Sequence, residues 1–145
     1  MVIPAVIVHG GAGPGPARQD NLQVAIKKAA EILIAGGTAL DAAVQACVIL
    51  ENDPVFNAGT GSVMRTDGSV LTDASIQTGD GRIGFVIAME ETPNPILIAA
   101  DLLDEEINGL TSEGARIWAD DRGHIKKKVT GVSPKGQIGD SEKEI

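Results

Sequence analysis

Two spacings of apolar residues alternate along the chain. Ala5-Val6-Ile7-Val8 is a continuous apolar run closed by Gly10-Gly11. It is too short for a buried helix and rich in β-branched residues, which predicts a strand covered on both faces. Residues 13–18 place Gly and Pro alternately, support neither period and read as a loop. From Asn21 the apolar positions Leu22, Ile26, Ala29, Ala30 and Leu33 recur at helical spacing until Gly36-Gly37 stops them. Thr38, with Asp41 three residues on, resembles a capping box and opens a second helix. Its apolar face carries Leu40, Val44, Cys47 and Val48, and Pro54 marks its end.

The pattern then changes. Residues 51–61 form a long polar loop. Val63 to Thr66, the turn Asp67-Gly68, and Ser69 to Thr72 carry a hairpin signature. A turn-rich stretch at 78–81 leads to a further strand, Ile83 to Met89. Pro93 and Pro95 open a helix running through Leu102-Leu103, and a short helix from Glu113 to Asp120 carries the only tryptophan. After Gly123 no period survives, so residues 1–123 read as one body and 124–145 as a solvated linker tail. The order of elements predicts an α/β chain with one small sheet. Helices on only one side of that sheet leave an apolar face wet, which usually marks an interaction surface. The chain reads as half of a larger domain.

Composition narrows the choice of chemistry. A length of 145 residues is one domain's worth of chain, and with only 2% aromatic residues the core must be built from Ala, Val, Ile and Leu. A net charge of −8 argues against a nucleic-acid partner, because phosphate binding rests on Lys and Arg. No apolar run approaches a membrane span, so no membrane partner is expected. Met1-Val2-Ile3-Pro4 lacks the basic start of a secretory signal, and a single cysteine forms no intrachain disulfide. These features point to a soluble cytoplasmic protein.

Standard motifs are absent. Gly11 and Gly13 would need glycine at 16 for a dinucleotide fingerprint, and that position is Pro16. There is no phosphate-binding P-loop, no H-E-x-x-H, no C-x-x-C, and Ser62 is not in a nucleophile elbow. The cluster Asp101, Asp104, Glu105, Glu106 reads as a solvated helix face, Cys47 as a structural thiol, and His124 as an exposed residue without a role. Two segments stand out. His9-Gly10-Gly11-Ala12-Gly13 follows a strand, where α/β proteins bind ligands, although a tight turn under a helix would look the same. Asn57-Ala58-Gly59-Thr60-Gly61 offers an amide donor and acceptor on a loop, or simply a turn.

Together with Gly37-Thr38-Ala39-Leu40-Asp41-Ala42-Ala43, the run from Leu50 through Asn57 to Ser62, Asp67-Gly68 and Asp73-Ala74-Ser75-Ile76, these segments occur in a specific order. In that order the chain resembles, over about residues 5–120, the α-subunit of plant-type L-asparaginases, also called isoaspartyl aminopeptidases. The resemblance implies an N-terminal-nucleophile hydrolase: a precursor cuts itself before a threonine, and the α- and β-chains fold together as a four-layer αββα sandwich. The freed threonine on the β-chain would be the nucleophile and its own amine the general base, acting on asparagine or a β-aspartyl dipeptide. A β-subunit from the same precursor and an (αβ)2 assembly are the implied partners.

For this chain the resemblance implies that Gly10 and Gly11 form the wall beside the nucleophile and that Asn57 supports its amine. It further implies a structural sodium ion held by backbone carbonyls of Leu50, Glu51, Asp53, Phe56, Ala58 and Thr60, with no organic cofactor. Two features depart from the family pattern: Ile76-Gln77-Thr78-Gly79 follows Asp-Ala-Ser, and the tail after Gly123 is short. The alternatives are a glycosylasparaginase-type amidase, disfavoured by the lack of signal and disulfides, and a non-catalytic α/β interaction module.

Overall fold

A computed structural model describes residues 3–12 and 18–133. The described chain is α/β. Two helices, α1 (Gln19–Ile34) and α2 (Ala39–Asn52), are followed by a 3-10 turn at Gly59–Gly61. Then come β1 (Thr72–Gln77), β2 (Ile83–Met89), α3 (Pro95–Asp101, continued as a 3-10 turn through Asp104), β3 (Gly109–Thr111) and α4 (Ser112–Asp121).

Local chemistry fixes the helix ends. Past Ile34, Gly36 adopts φ +84°, its N–H donates to the Leu33 carbonyl and that of Gly37 to Ile32, the Schellman arrangement that glycine favours. The capping box at α2 forms as the sequence predicts: Thr38 Oγ1 accepts from the Asp41 N–H at 3.0 Å, and Asp41 Oδ2 accepts from the Thr38 N–H at 3.4 Å. The two helices meet through alanines, Ala25 and Ala29 packing with Ala42 and Ala46, which allows close approach of their backbones. Val6 and Val8 cover one side of that seam.

The sheet is mixed, in the order β1-β2-β3. β1 and β2 pair antiparallel, Ala74 opposite Val86 and Ile76 opposite Gly84, while β3 joins β2 in parallel. A bulge between Thr72 and Ala74 leaves Ala88 at φ +57°, and Asp73 Oδ1 accepts its N–H at 2.6 Å. Alternation places Gly84 and Val86 on one face, and the extra residue at the bulge brings Met89 to it as well, so Val86 and Met89 enter a core with Ile98, Leu102, Ala115 and Ala119. Gly84 lies directly under the Ala99 carbonyl, so β2 and α3 touch backbone to backbone. The opposite face of β2 is less covered: Ile83 and Ile87 are 39% and 50% exposed, and Phe85 is half-buried against Gly109. The wet apolar face expected from the element order is present.

Several expectations need correction. Residues 5–8 form no strand among the described residues; only Val6 and Val8 are half-buried, and Ile7 is 95% exposed. They lack a neighbouring strand, and without a ladder an extended segment is not a sheet strand. The expected hairpin keeps its turn (Gly68 N–H to the Arg65 carbonyl, Arg65 N–H to that of Ser69) but not its strands. Val63 instead bridges in parallel to Val132, and the regular hairpin is the next one, β1-β2. That bridge also corrects the tail. Residues 124–133 run back over the body: Lys127 N–H donates to the Glu91 carbonyl, Met64 N–H to that of Val132, and Val132 N–H to that of Ser62. Residues 134–145, the rest of the expected linker, lie outside the described residues. Among the described residues no helix is long and apolar enough to cross a membrane.

Candidate active site

The loop after α2 is coiled on itself by its own backbone. Asp53 N–H reaches the Leu50 carbonyl, Phe56 that of Asp53, Ala58 that of Phe56, Gly61 that of Ala58 and Ser62 that of Gly59, at 2.9–3.3 Å. Asp53 locks the entry, its carboxylate accepting from the Val55 N–H at 3.0 Å and from Asn21 Nδ2 at 2.7 Å. Gly59, at φ +48°, leaves no room for a side chain: a Cβ there would stand 2.5 Å from the Glu51 carbonyl oxygen and also overlap that of Pro93.

Phe56 points inward and is 3% exposed. Its ring occupies the space that a side chain at residue 10 would need: a Cβ on Gly10 would lie 2.7 Å from Phe56 Cε1 and 3.1 Å from Leu22 Cδ2. The Arg18 guanidinium sits 6.0 Å above the ring centre. The two segments singled out in the sequence, 48 positions apart at Gly10 and Ala58, are thus brought together through Gly10 and the residue that precedes Asn57. Gly11 follows at φ +98° with open space around it, and its N–H donates to His9 Nδ1 at 3.0 Å. Asn57 is exposed, and its Oδ1 accepts the Val63 N–H at 2.9 Å. Its amide therefore both shapes the turn and keeps an NH2 group and a second oxygen lone pair for another partner.

The carbonyl loop divides its donors clearly. Those of Leu50, Asp53, Phe56 and Ala58 each accept one backbone hydrogen bond and keep a second lone pair; that of Glu51 faces Gly59, and Thr60 is exposed. The Glu51 carboxylate is engaged elsewhere: Oε1 accepts the Ile96 N–H at 3.0 Å and Oε2 accepts from Asn94 Nδ2 at 3.1 Å. The remaining donors are neutral carbonyl oxygens, a set that fits a hard monovalent cation better than a divalent one, which favours carboxylates.

Glu51 is the residue that sequence reasoning undervalued. It is 5% exposed, and burial pushes its carboxyl up to about 7, only partly offset by the hydrogen bonds from Asn94 and Ile96. The signal was its spacing: Glu51 lies four residues after Cys47 and seven after Val44, on the apolar face of α2. Arg116 was also missed. It is buried in α4 and donates to Thr92 Oγ1, Asp120 and the His124 carbonyl.

The bland readings fare unevenly. Burial, and then the neighbouring Glu51, raise the Cys47 thiol, which agrees with a structural role. The acidic cluster is solvated and ion-paired, Asp104 to Arg82 and Glu105 to Arg122, and no group of three or more His, Cys, Asp or Glu residues that could hold a metal ion occurs among the described residues. His124 is not idle: its side chain is 14% exposed, Nε2 lies 2.9 Å from Asp101 Oδ2, and the ring stacks on Trp118.

Comparison with known proteins supplies the remaining context. The profile of a family described as asparaginase (Asparaginase_2) matches residues 2–137. A Synechocystis protein named isoaspartyl peptidase/L-asparaginase is 42% identical over 120 residues, covering 77% of this chain and 36% of its own. Proteins of the same name from Macaca fascicularis and Homo sapiens are 44% and 42% identical over 125 residues, each covering 80% of this chain and 40% of their own. The chain thus spans well under half the length of these relatives.

Proposed function

The chain belongs to the asparaginase family, and from that premise we propose that it is the α-subunit of an amidohydrolase acting on L-asparagine, on β-aspartyl dipeptides, or on both. The observation that carries this reading is the contact between Gly10 and Phe56, which sets a bare backbone beside an amide-bearing loop.

In the proposed reaction the hydroxyl of an N-terminal threonine on a partner β-chain attacks the side-chain carbonyl carbon. The threonine's own α-amine takes the hydroxyl proton and gives it to the departing ammonia or amine. Water then hydrolyses the β-aspartyl ester, releasing aspartate and restoring the threonine. The oxyanion donors and the groups holding the amino-acid end belong to the β-chain in this reading.

This chain supplies the setting. Gly11, with open space around it, would leave room for the nucleophile and substrate, while Gly10, its missing Cβ replaced by the Phe56 ring, holds the bare backbone of that wall against the loop. Asn57, with one lone pair given to Val63, orients the threonine's amine through the remaining capacity of its amide. The carbonyls of Leu50, Glu51, Asp53, Phe56, Ala58 and Thr60 would hold a sodium ion whose part is structural, stiffening the loop that carries Asn57. The exposed Ile83 and Ile87, and the unpaired segment 5–8, are surfaces a β-chain would cover in completing an αββα sandwich, with two αβ units pairing.

The test is ammonia release from L-asparagine, and aspartate release from a β-aspartyl dipeptide, by the two-chain protein and by residues 1–145 alone. Turnover by the pair and none by the single chain is expected. Turnover by the single chain that disappears on changing Cys47 or Ser62, or no turnover by the pair, overturns the proposal.

A further inference from the structure

We propose that the phenyl ring of Phe56 is a positioning residue that sets the separation between Gly10 and Asn57. The inference rests on the reading of those two residues as parts of the active site and assigns to the ring a role that neither of them plays.

Three observations carry it. The ring is the side chain through which the loop meets the Gly10 segment, and it fills the space left by the missing Cβ of Gly10, with Cε1 2.7 Å from where that atom would lie. It is 3% exposed, with the Arg18 guanidinium of the α1 entry 6.0 Å from its centre, so it is packed within the fold and not free in solvent. Its own backbone is also fixed, the N–H on the Asp53 carbonyl and the carbonyl on the Ala58 N–H, while Asn57 next to it is held by Val63. A rigid ring between two rigid backbones acts as a spacer. A shorter side chain lets the Gly10 segment settle towards the loop; a methyl on Gly10 pushes it away. Either change moves the amide of Asn57 relative to the wall that faces the nucleophile. Misplacing a reacting geometry by about 1 Å costs up to roughly a hundredfold in rate.

The experiment compares wild type, Phe56→Leu, Gly10→Ala and the double variant as assembled two-chain proteins, well below their melting temperatures. A spacer role predicts that each single variant loses about tenfold to a hundredfold in kcat on L-asparagine with KM within about twofold. It also predicts that the double variant is faster than either single one, because a methyl on one side replaces bulk removed from the other. Singles with wild-type kcat, or a double variant no faster than the faster single, overturn the proposal. A second readout does not depend on activity: the side-chain amide resonances of Asn57, and the N–H of Val63, should shift in Phe56→Leu. Unmoved resonances refute the spacer even if the wild-type protein turns over neither substrate, an outcome that by itself removes only the functional reading.

Discussion

Replacing Glu51 by Gln should reverse the sign of its effect on stability between acid and alkaline solution. The carboxyl rises from 4.5 in the unfolded chain to about 7 in the fold, mainly because burial disfavours the charge. A proton is therefore bound more tightly by the folded state. The stabilisation is complete below about pH 4.5 and is lost as pH rises through about 7. Above that range the fold carries a buried carboxylate at a cost of about 3 kcal/mol. Gln keeps an acceptor for the Ile96 N–H, but its NH2 faces that of Asn94, which must turn over and give up its bond to Asn52 Oδ1. That exchange costs about 1 kcal/mol. Glu51→Gln should thus be about 1 kcal/mol less stable than wild type at pH 4.5 and about 2 kcal/mol more stable at pH 8. Urea unfolding of the assembled protein at the two pH values, in choline chloride to keep cations off the loop, measures both. An effect of one size and sign at both values would show that Glu51 does not titrate in this range.

Other substitutions test other parts of the molecule. Thr38→Ala removes the capping box of α2 and should cost about 1 kcal/mol in a denaturant titration. Gly84→Ala drives a methyl into the Ala99 carbonyl, a backbone atom that cannot swing aside, so a loss of about 3 kcal/mol or failure to fold is expected in thermal melts. Asn57→Asp keeps the acceptor for Val63 and should melt like wild type while turning over asparagine at least about tenfold more slowly; Asn57→Ala should lose about 1 kcal/mol of stability as well. Cys47, its thiol raised by burial, should react with a thiol reagent far more slowly than a free cysteine at pH 8.

What the sequence reveals depends on how local the cause is. The α2 start is written in Thr38 and Asp41, which bond to each other, and β2 runs from Ile83 to Met89, as the apolar run after the turn-rich stretch at 78–81 predicts. The Gly10 and Asn57 segments were legible as motifs, but their meeting was not, because it depends on where Phe56 points. The segment 5–8 misled for a related reason: its apolar run encodes burial against something, and the described chain holds cover for only one side. At 63–72 the turn was correctly placed, since Asp67 and Gly68 are local signals. The strand partner of Val63 was not, since it sits 69 positions away at Val132. His124 failed on the same ground, its partner Asp101 lying 23 positions back at the end of α3.

The bridge from Val63 to Val132 has a consequence for any event in which this chain's continuation must find the site. It pins the tail next to the residue that Asn57 holds, so Val132 is fixed at the loop. In the proposed precursor this bridge would hold Val132 beside the loop that carries Asn57, which favours processing within one molecule over processing between two.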